Sequence, residues 1–261
     1  MPEFSIEHTA QKIRNIEFFS DYDFEWVELT GSTNDDLKKE IAQGACRKIL
    51  VATQQSHGRG QFERNWHSDP GQALLFSFSG LQLSGNLPLS LLVGAAVAKA
   101  ILRVLNADIW LKWPNDIYLG QGKLGGILVE NIFSGEKKSF VAGIGINLRQ
   151  PSEIFDAASL EKFDLAPQLL LLEILGAFDQ VLKLGLNEQT ECWKAYAGKF
   201  WNSSFLCSEY SENKEPSLIK PVDLFSDGSL EVLSNGHVER IRSARLELFK
   251  GLTESECSVR S

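Results

Sequence analysis

The sequence is poor in the residues that build disulfide frameworks and metal sites. It has four cysteines and four histidines among 261 residues. No two cysteines form a Cys-x-x-Cys pair, and the histidines show no spacing typical of metal ligands. The composition therefore indicates neither a zinc site nor a disulfide scaffold, and a cytoplasmic protein is the best expectation.

The sequence also lacks a long uncharged apolar run. Its two most apolar stretches, residues 87–105 and 165–186, are interrupted by charged residues such as Lys99 and Glu173. Both are typical of amphipathic or buried helices rather than of membrane spans. Residues 1–19 show no basic start followed by an apolar run, so we expect no secretory signal and no membrane attachment.

An excess of positive charge is missing as well. The formal net charge at pH 7 is -8, which argues against broad binding to a phosphate backbone.

Strand and helix patterns alternate over the first two hundred residues, which predicts an α+β fold with a central mixed sheet flanked by helices. The alternating apolar pattern predicts strands at residues 25–29, 49–53, 74–79, 109–113, 127–130 and 140–148. The helical period predicts helices at residues 34–43, 89–105, 167–184 and 188–197.

After Trp201 the pattern changes to short apolar runs separated by the hairpin dipeptides Asp227-Gly228 and Asn235-Gly236. We therefore expect a main domain over residues 1–203, a small β domain over residues 204–250, and a fraying tail over residues 251–261.

The segment Leu111–Ile117, which reads LKWPNDI, groups a cation, an amide and a carboxylate beside a strand end. Pro114 should stop the strand, and Asn115-Asp116 should form a turn that orients a metal-bound phosphate or fixes a neighbouring lysine. Lys123 follows a second turn, and its ammonium could reach over a glycine-rich surface. The alternative is a solvated lysine beside a hairpin.

Three further segments are candidates for ligand contact. In the strand at residues 140–148, Gly143, Gly145 and Asn147 share one face, which suggests a flat ligand against the backbone, a bulge or a tight sheet crossing. Glycines flank Arg59 in a loop that could close over negative oxygens or be a solvated turn. Residues 31–34 place hydroxyl and amide groups at a helix N-terminus, which could also be only an N-cap.

Taken in order, these segments resemble the biotin protein ligases. The resemblance rests on Ser32-Thr33-Asn34, the Gly58-Arg59-Gly60 loop with Trp66, the KWPND segment, Lys123 with the Gly-Ile-Leu that follows, and Gly143-x-Gly145-x-Asn147. It covers about residues 29–148, and the small β domain matches the SH3-like domain of that family. It implies a catalytic domain like that of the class II synthetases.

The resemblance implies a ligase that activates biotin as biotinyl-5′-AMP and transfers it to a lysine of a biotin carboxyl carrier protein. ATP and Mg²⁺ are expected, with the metal arriving with ATP rather than at a fixed protein site. The catalytic residues implied are Lys123, Arg59 and Lys112. The biotin-binding residues implied are Ser32, Thr33, Gln55, Gly58, Arg59, Gln61, Trp66, Lys123 and Gly126. The ATP-binding residues implied are Arg64, Asn115, Asp116, Gly143, Gly145 and Asn147.

The sequence departs from the family pattern in the glycine-rich loop. Many members have arginine at the position of Gln61 and glycine at that of Glu63. The loop therefore carries less positive charge, and we expect this to affect how tightly it retains the adenylate. Too few residues precede Ser32 for the winged helix of biotin-sensing repressors, so we expect no DNA binding.

Two other functions remain open at this point. A lipoate protein ligase shares the fold but has a different glycine-rich motif. A non-catalytic biotin or nucleotide sensor would fit the changes at Gln61 and Glu63, although both Lys112 and Lys123 are retained.

Overall fold

The described residues form two β-sheets, and the larger one has seven strands. The computed structural model describes residues 5–45, 47–61, 64–134, 137–151, 156–208 and 216–249. The strands of the larger sheet are β1 (Asp23–Thr30), β2 (Lys48–Gln55), β3 (Ala73–Leu81), β4 (Ile109–Lys112), β5 (Asp116–Leu119), β6 (Gly122–Ser134) and β7 (Lys137–Asn147). Their order is β1-β2-β3-β7-β6-β5-β4, with β1 and β2 parallel and the other neighbours antiparallel.

Helices cover both faces of this sheet. They are α1 (Ile6–Arg14), α2 (Thr33–Ala42), α3 (Leu89–Val104), α4 (Pro167–Leu182), α5 (Leu186–Tyr196) and α6 (Gly198–Trp201). Helix α3 packs against α4 and α5, and their apolar faces join the main core cluster. Helix α2 forms a separate buried cluster through Leu37, with Leu50 of β2 and Val141 of β7. Since neighbouring strand residues point to opposite faces, α2 covers the other side of the sheet.

Helix α2 begins at the end of β1 because Ser32 caps it. The Ser32 side chain accepts a hydrogen bond from the amide of Asp35, and Asp35 and Asp36 lie in the first turn, where carboxylates are favourable. This cap fixes the start of α2, and with it the position of Thr33 and Asn34 beside the sheet.

The second sheet has five antiparallel strands. They are β8 (Phe205–Ser208), β9 (Ser217–Leu224), β10 (Leu230–Ser234), β11 (His237–Ile241) and β12 (Arg245–Leu248), in the order β11-β10-β9-β8-β12. Asn235 and Gly236 join β10 to β11 with φ of 49° and 81°. Two positive φ values are what a two-residue hairpin turn of type I′ requires, so this dipeptide acts as predicted.

The predicted fold class is confirmed, and every predicted strand and helix is present. Helices α1 and α6 and strand β5 were not predicted. Asp116, expected in a turn, instead begins β5, where it pairs with Lys112 across the β4–β5 hairpin. The domain boundary at residue 203 stays a prediction, because one buried cluster includes residues of both sheets. The tail at residues 251–261 lies outside the described residues.

Among the helices in the described parts of the chain, none has the length and apolar composition that a membrane crossing needs.

Candidate functional site

Two connected spaces lie on the α2 side of the larger sheet. The inner cavity has a volume of about 60 Å³, and the cleft in front of it about 480 Å³. The cleft is within the size range of small-molecule sites. Residues that line both spaces include Gln61, Trp66, Asn115 and Lys123. These side chains therefore lie where a ligand in the cavity would meet a ligand in the cleft.

The structure brings together most of the residues predicted from the sequence. Those lining the inner cavity are Ser32, Thr33, Gln55, Arg59, Gln61, Trp66, Asn115, Lys123, Gly126, Gly143 and Gly145. Those lining the cleft are Gln61, Arg64, Trp66, Lys112, Asn115, Asp116 and Lys123. Among the predicted residues, Gly58 and Asn147 line neither space.

The inner end of the cavity is polar. The amide of Thr33 donates to Gln55 Oε1 at 2.8 Å, and the Thr33 hydroxyl lies 2.6 Å from the hydroxyl of Ser77 on β3. Ser32 and Thr33 are nearly fully buried. Their hydroxyls and the Gln55 amide supply donors and acceptors for a ligand with both kinds of group.

Two glycines of β7, Gly143 and Gly145, leave space above the sheet that is filled by protein side chains. A Cβ at Gly143 would lie 2.2 Å from Asn34 Oδ1, and a Cβ at Gly145 would lie 2.7 Å from the Trp66 indole. Asn34 and Trp66 therefore occupy the flat strip that the sequence indicates. The Trp66 Nε1 atom is buried and has no hydrogen-bond partner among the described residues. A ligand that placed an acceptor beside this N–H group would therefore be bound more tightly.

The glycine-rich loop returns on itself through its backbone. The amide of Gly60 donates to the carbonyl of Arg64 at 2.7 Å, and the amide of Trp66 donates to the carbonyl of Gly58 at 2.8 Å. A Cβ at Gly58 would lie 2.5 Å from the Trp66 carbonyl. Gly58 thus permits the closure that places Trp66 at the cavity. Glu63 lies outside the described residues.

A carboxylate between two lysines forms the charged centre of the cleft. Asp116 Oδ2 lies 2.7 Å from Lys112 Nζ, and Asp116 Oδ1 lies 2.6 Å from Lys123 Nζ. Burial alone would raise the pKa of Asp116, but the two ammonium groups outweigh it and hold this pKa below its ordinary value. The trio carries one net positive charge, which suits it to an anionic ligand.

The two lysines differ in exposure. Lys112 is buried, and its ammonium also donates to the Leu246 carbonyl of β12 at 2.9 Å. The Lys123 side chain is 38% exposed, and its ammonium lies 6.0 Å from the centre of the Trp66 ring. Lys123 can therefore reach a ligand, whereas Lys112 serves mainly to hold Asp116 and the second sheet in place.

Two asparagines support this centre through backbone contacts. Asn115 Nδ2 donates to the carbonyl of Ile127 at 2.9 Å, which ties the turn before β5 to β6. Asn147 Nδ2 donates to the carbonyl of Ala158 at 3.0 Å. Ala158 in turn donates its amide to the Lys123 carbonyl at 2.8 Å. The structure thus places Asn147 behind Lys123, and its predicted contact with the nucleotide stays a prediction that this geometry does not support.

Several residues of the site were missed by the sequence analysis. Asn34 was part of a motif but had no predicted role, although it is 3% exposed and contacts both β3 and β6. Ser77, Glu130 and the segment 244–248 of the second sheet were also missed. No local sequence pattern marks Ser77, Glu130 or the segment 244–248, because each reaches the site through contacts with residues distant in sequence.

The chain matches a known family over part of its length. The model of the Biotin/lipoate A/B protein ligase family matches residues 26–147. That range contains α2, the glycine-rich loop and all seven strands of the larger sheet except the start of β1.

Two curated relatives match over somewhat more than half of the chain. The chain is 35% identical over 150 residues to the biotin--[acetyl-CoA-carboxylase] ligase of Mycobacterium tuberculosis, covering 53% of this chain and 54% of that protein. It is 32% identical over 166 residues to biotin--protein ligase 2 of Arabidopsis thaliana, covering 59% and 49%. The chain thus spans about half the length of the curated relatives it matches.

Solved structures match over more of the chain. A biotin protein ligase of Aquifex aeolicus in complex with biotin and ATP is 26% identical, with a TM-score of 0.73, covering 88% of this chain and 99% of that one. A biotin acetyl coenzyme A carboxylase synthetase of Helicobacter pylori with bound biotinylated ATP is 25% identical, with a TM-score of 0.65, covering 85% and 100%.

Proposed function

We propose that this chain is a member of the biotin/lipoate A/B protein ligase family, and that it activates biotin with ATP as biotinyl-5′-AMP and transfers the biotinyl group to a lysine of a biotin carboxyl carrier protein. The observation that carries this proposal is the position of Lys123. Its ammonium lies at the boundary of the two spaces, where a carboxylate in the cavity would face a phosphate in the cleft.

In the first step, a carboxylate oxygen of biotin attacks the α-phosphorus of ATP, and pyrophosphate leaves. Two anions must approach each other, so their repulsion has to be offset by positive charge. Lys123 offers that charge to both, and Asp116 orients it from the other side at 2.6 Å. Ser32, Thr33 and Gln55 would hold the polar head of biotin at the inner end of the cavity.

In the second step, the amine of the carrier lysine attacks the acyl carbon of the mixed anhydride, and AMP leaves. The glycine-rich loop would cover the anhydride and exclude water until the carrier binds. The four scattered cysteines fit a reducing compartment, and we propose that the reaction takes place in the cytoplasm. A chain with a net charge of -8 is not expected to bind DNA in addition.

Mg²⁺ would arrive with ATP. Both carboxylate oxygens of Asp116 are already paired with the ammonium groups of Lys112 and Lys123. We therefore do not expect Asp116 to bind magnesium by itself. The phosphate oxygens would supply most of the ligands, as is usual for this ion, and the metal would neutralise phosphate charge.

The test is to incubate the purified protein with biotin, Mg·ATP and a biotin carboxyl carrier domain, and to record the intact mass of the carrier. We expect a biotinyl adduct, and no adduct when lipoate replaces biotin. An adduct with lipoate alone would make the chain a lipoate ligase. Pyrophosphate release without any adduct on several carriers would contradict transfer.

The Lys123→Ala variant tests the role of this side chain. We expect it to slow adenylate formation by at least about a hundredfold, because it removes a preorganised charge at the reacting atoms, while the biotin Kd changes much less. Pyrophosphate release and calorimetric binding measure the two effects. The matched control is Lys12→Ala, on the exposed side of α1, which should change neither. Equal losses of binding and rate in Lys123→Ala would refute the assignment.

A further inference from the structure

We propose that Asp35 and Glu130 are positioning residues for this reaction. Together with Lys38 they hold the Arg59 guanidinium, and through it the glycine-rich loop, against the inner cavity. We call Asp35, Lys38, Arg59 and Glu130 the clasp. The inference rests on the proposed function, because its effect on the reaction requires that biotin binds beneath this loop.

The clasp is a set of four charges in mutual contact. Arg59 Nη1 lies 2.7 Å from Asp35 Oδ1 and 3.6 Å from Glu130 Oε1. Lys38 Nζ lies 2.7 Å from Asp35 Oδ1 and 2.8 Å from Glu130 Oε1. Each cation therefore contacts both carboxylates, and the net charge is zero. Partial burial alone would raise the pKa of Asp35, but the Lys38 ammonium and the Arg59 guanidinium outweigh it and hold this pKa below its ordinary value.

The clasp joins three separate elements. Asp35 and Lys38 are on α2, Glu130 is on β6, and Arg59 is on the loop. Helix α2 and strand β6 are fixed by the sheet and by the small buried cluster under α2. The described part of the loop is held by its own backbone hydrogen bonds and by Trp66 at the sheet. The ion pairs of Arg59 add a tie to α2 and β6, which restricts the motion of the loop relative to the cavity that it borders.

A buried amide connects the clasp to the inner end of the cavity. Asn34 Nδ2 donates to Glu130 Oε2 at 2.8 Å, and Asn34 Oδ1 accepts from the Ser77 hydroxyl at 2.7 Å. That hydroxyl lies 2.6 Å from the hydroxyl of Thr33. A continuous series of hydrogen bonds therefore runs from the Thr33 hydroxyl, which would meet the polar head of biotin, to the Glu130 carboxylate, which contacts Arg59 of the loop.

This arrangement separates recognition from retention. The cavity residues determine whether biotin binds, and the clasp determines how often the loop opens while biotin is bound. Loss of the clasp should therefore act mainly on the dissociation rate and on the escape of the adenylate. A residue with only a structural role would lower stability without changing the loop selectively.

The experiment uses Asp35→Asn and Glu130→Gln, which keep the side-chain shape and remove the charge. Hydrogen exchange of the peptides covering residues 56–66 is measured with and without biotin, together with the biotin dissociation rate. Because exposed ion pairs contribute up to about 1 kcal/mol, we expect about two- to fivefold faster dissociation and faster loop exchange. The matched control is Glu17→Gln, which removes a carboxylate 2.7 Å from Lys183, itself also paired with Asp179.

A double variant tests the coupling directly. Arg59→Gln combined with Asp35→Asn should exchange no faster in the loop than Arg59→Gln alone, because both changes break the same contact. Additive effects, or unchanged loop exchange in both single variants, would overturn the inference.

Loop exchange without biotin does not depend on any activity. If the wild-type protein fails to biotinylate a carrier but the variants loosen the loop, the proposed function fails and the clasp remains. If the wild type is active and the variants retain biotin unchanged, the clasp fails alone.

Discussion

Replacing Gly143 by alanine should destabilise the protein strongly. The new Cβ would lie 2.2 Å from Asn34 Oδ1 and 3.0 Å from Asn34 Cγ. The backbone at Gly143 cannot move away easily, since it pairs with Ser77 on one side and Leu128 on the other. The Asn34 side chain would therefore have to leave its position.

The cost follows from the hydrogen bonds that Asn34 makes. Its amide donates to Glu130 and accepts from the Ser77 hydroxyl. Breaking the first removes a bond to a charged group, and breaking the second leaves buried polar atoms without partners. Together these effects predict a loss of about 3–5 kcal/mol in the free energy of unfolding.

Denaturant unfolding measures this value, and two further variants test the reason. Gly176→Ala, in α4, adds a methyl group with no described atom within 4 Å apart from its chain neighbours and the nearby backbone of its own helix, so it should raise stability by about 0.5–1 kcal/mol. Asn34→Ala combined with Gly143→Ala should cost less than the sum of the single changes, because the collision is gone. A loss below about 0.5 kcal/mol for Gly143→Ala would refute the reasoning, since that is the range of changes without structural effect.

Three other predictions follow from the cleft and its surroundings. Because the pKa of Asp116 is lowered from 3.8, its ion pairs stabilise the fold above that pH and lose this effect as the pH falls through the lowered value. Asp116→Asn should lower the free energy of unfolding by about 3–5 kcal/mol at pH 7. Chemical unfolding from pH 5 to pH 3 should show the difference between wild type and variant becoming smaller. A difference that stays constant over this range would contradict the prediction. Trp113→Phe removes the hydrogen bond from the indole Nε1 to the Gly228 carbonyl at 2.9 Å. Denaturant unfolding should therefore show a loss of about 1–3 kcal/mol in the free energy of unfolding. No loss would mean that this bond does not stabilise the fold. Gln61→Arg adds a cation beside both spaces and should slow biotinyl-AMP dissociation about tenfold, as measured by stopped-flow; unchanged dissociation would show that Gln61 does not face the anhydride.

Much of the fold could be predicted because its signals are local. The alternating apolar pattern marks the long strands, and the Ser32 cap and the Asn235-Gly236 turn mark two junctions. Strand β5 was missed because its four residues are bounded by turn residues on both sides. Helix α1 was missed because it is polar on most of its surface, with only Thr9 and Ile13 buried.

The site could be predicted in its residue types but not in its contacts. The Lys-Trp-Pro-Asn-Asp segment indicated an anion site, and the option that Asp116 fixes a neighbouring lysine agrees with its contacts. The sequence could not show that Asn34 fills the space above Gly143, because 109 positions separate them. It also could not show that Asn147 faces Ala158, which is a matter of how a loop folds back.

The joint between the two sheets has a consequence for how this protein can change. Lys112 and Trp113 donate to the carbonyls of Leu246 and Gly228, which are backbone atoms that every residue carries. A joint of this kind constrains the path of the second sheet through backbone atoms, and at position 246 it asks only for a side chain that fits the core, where Leu246 is buried. Gly228 is restricted by its backbone, since its φ is 82° and a Cβ would lie 2.4 Å from Pro88 Cγ. The second sheet can therefore exchange its buried apolar residues for other apolar residues and still hold Lys112, which in turn positions Asp116 beside Lys123.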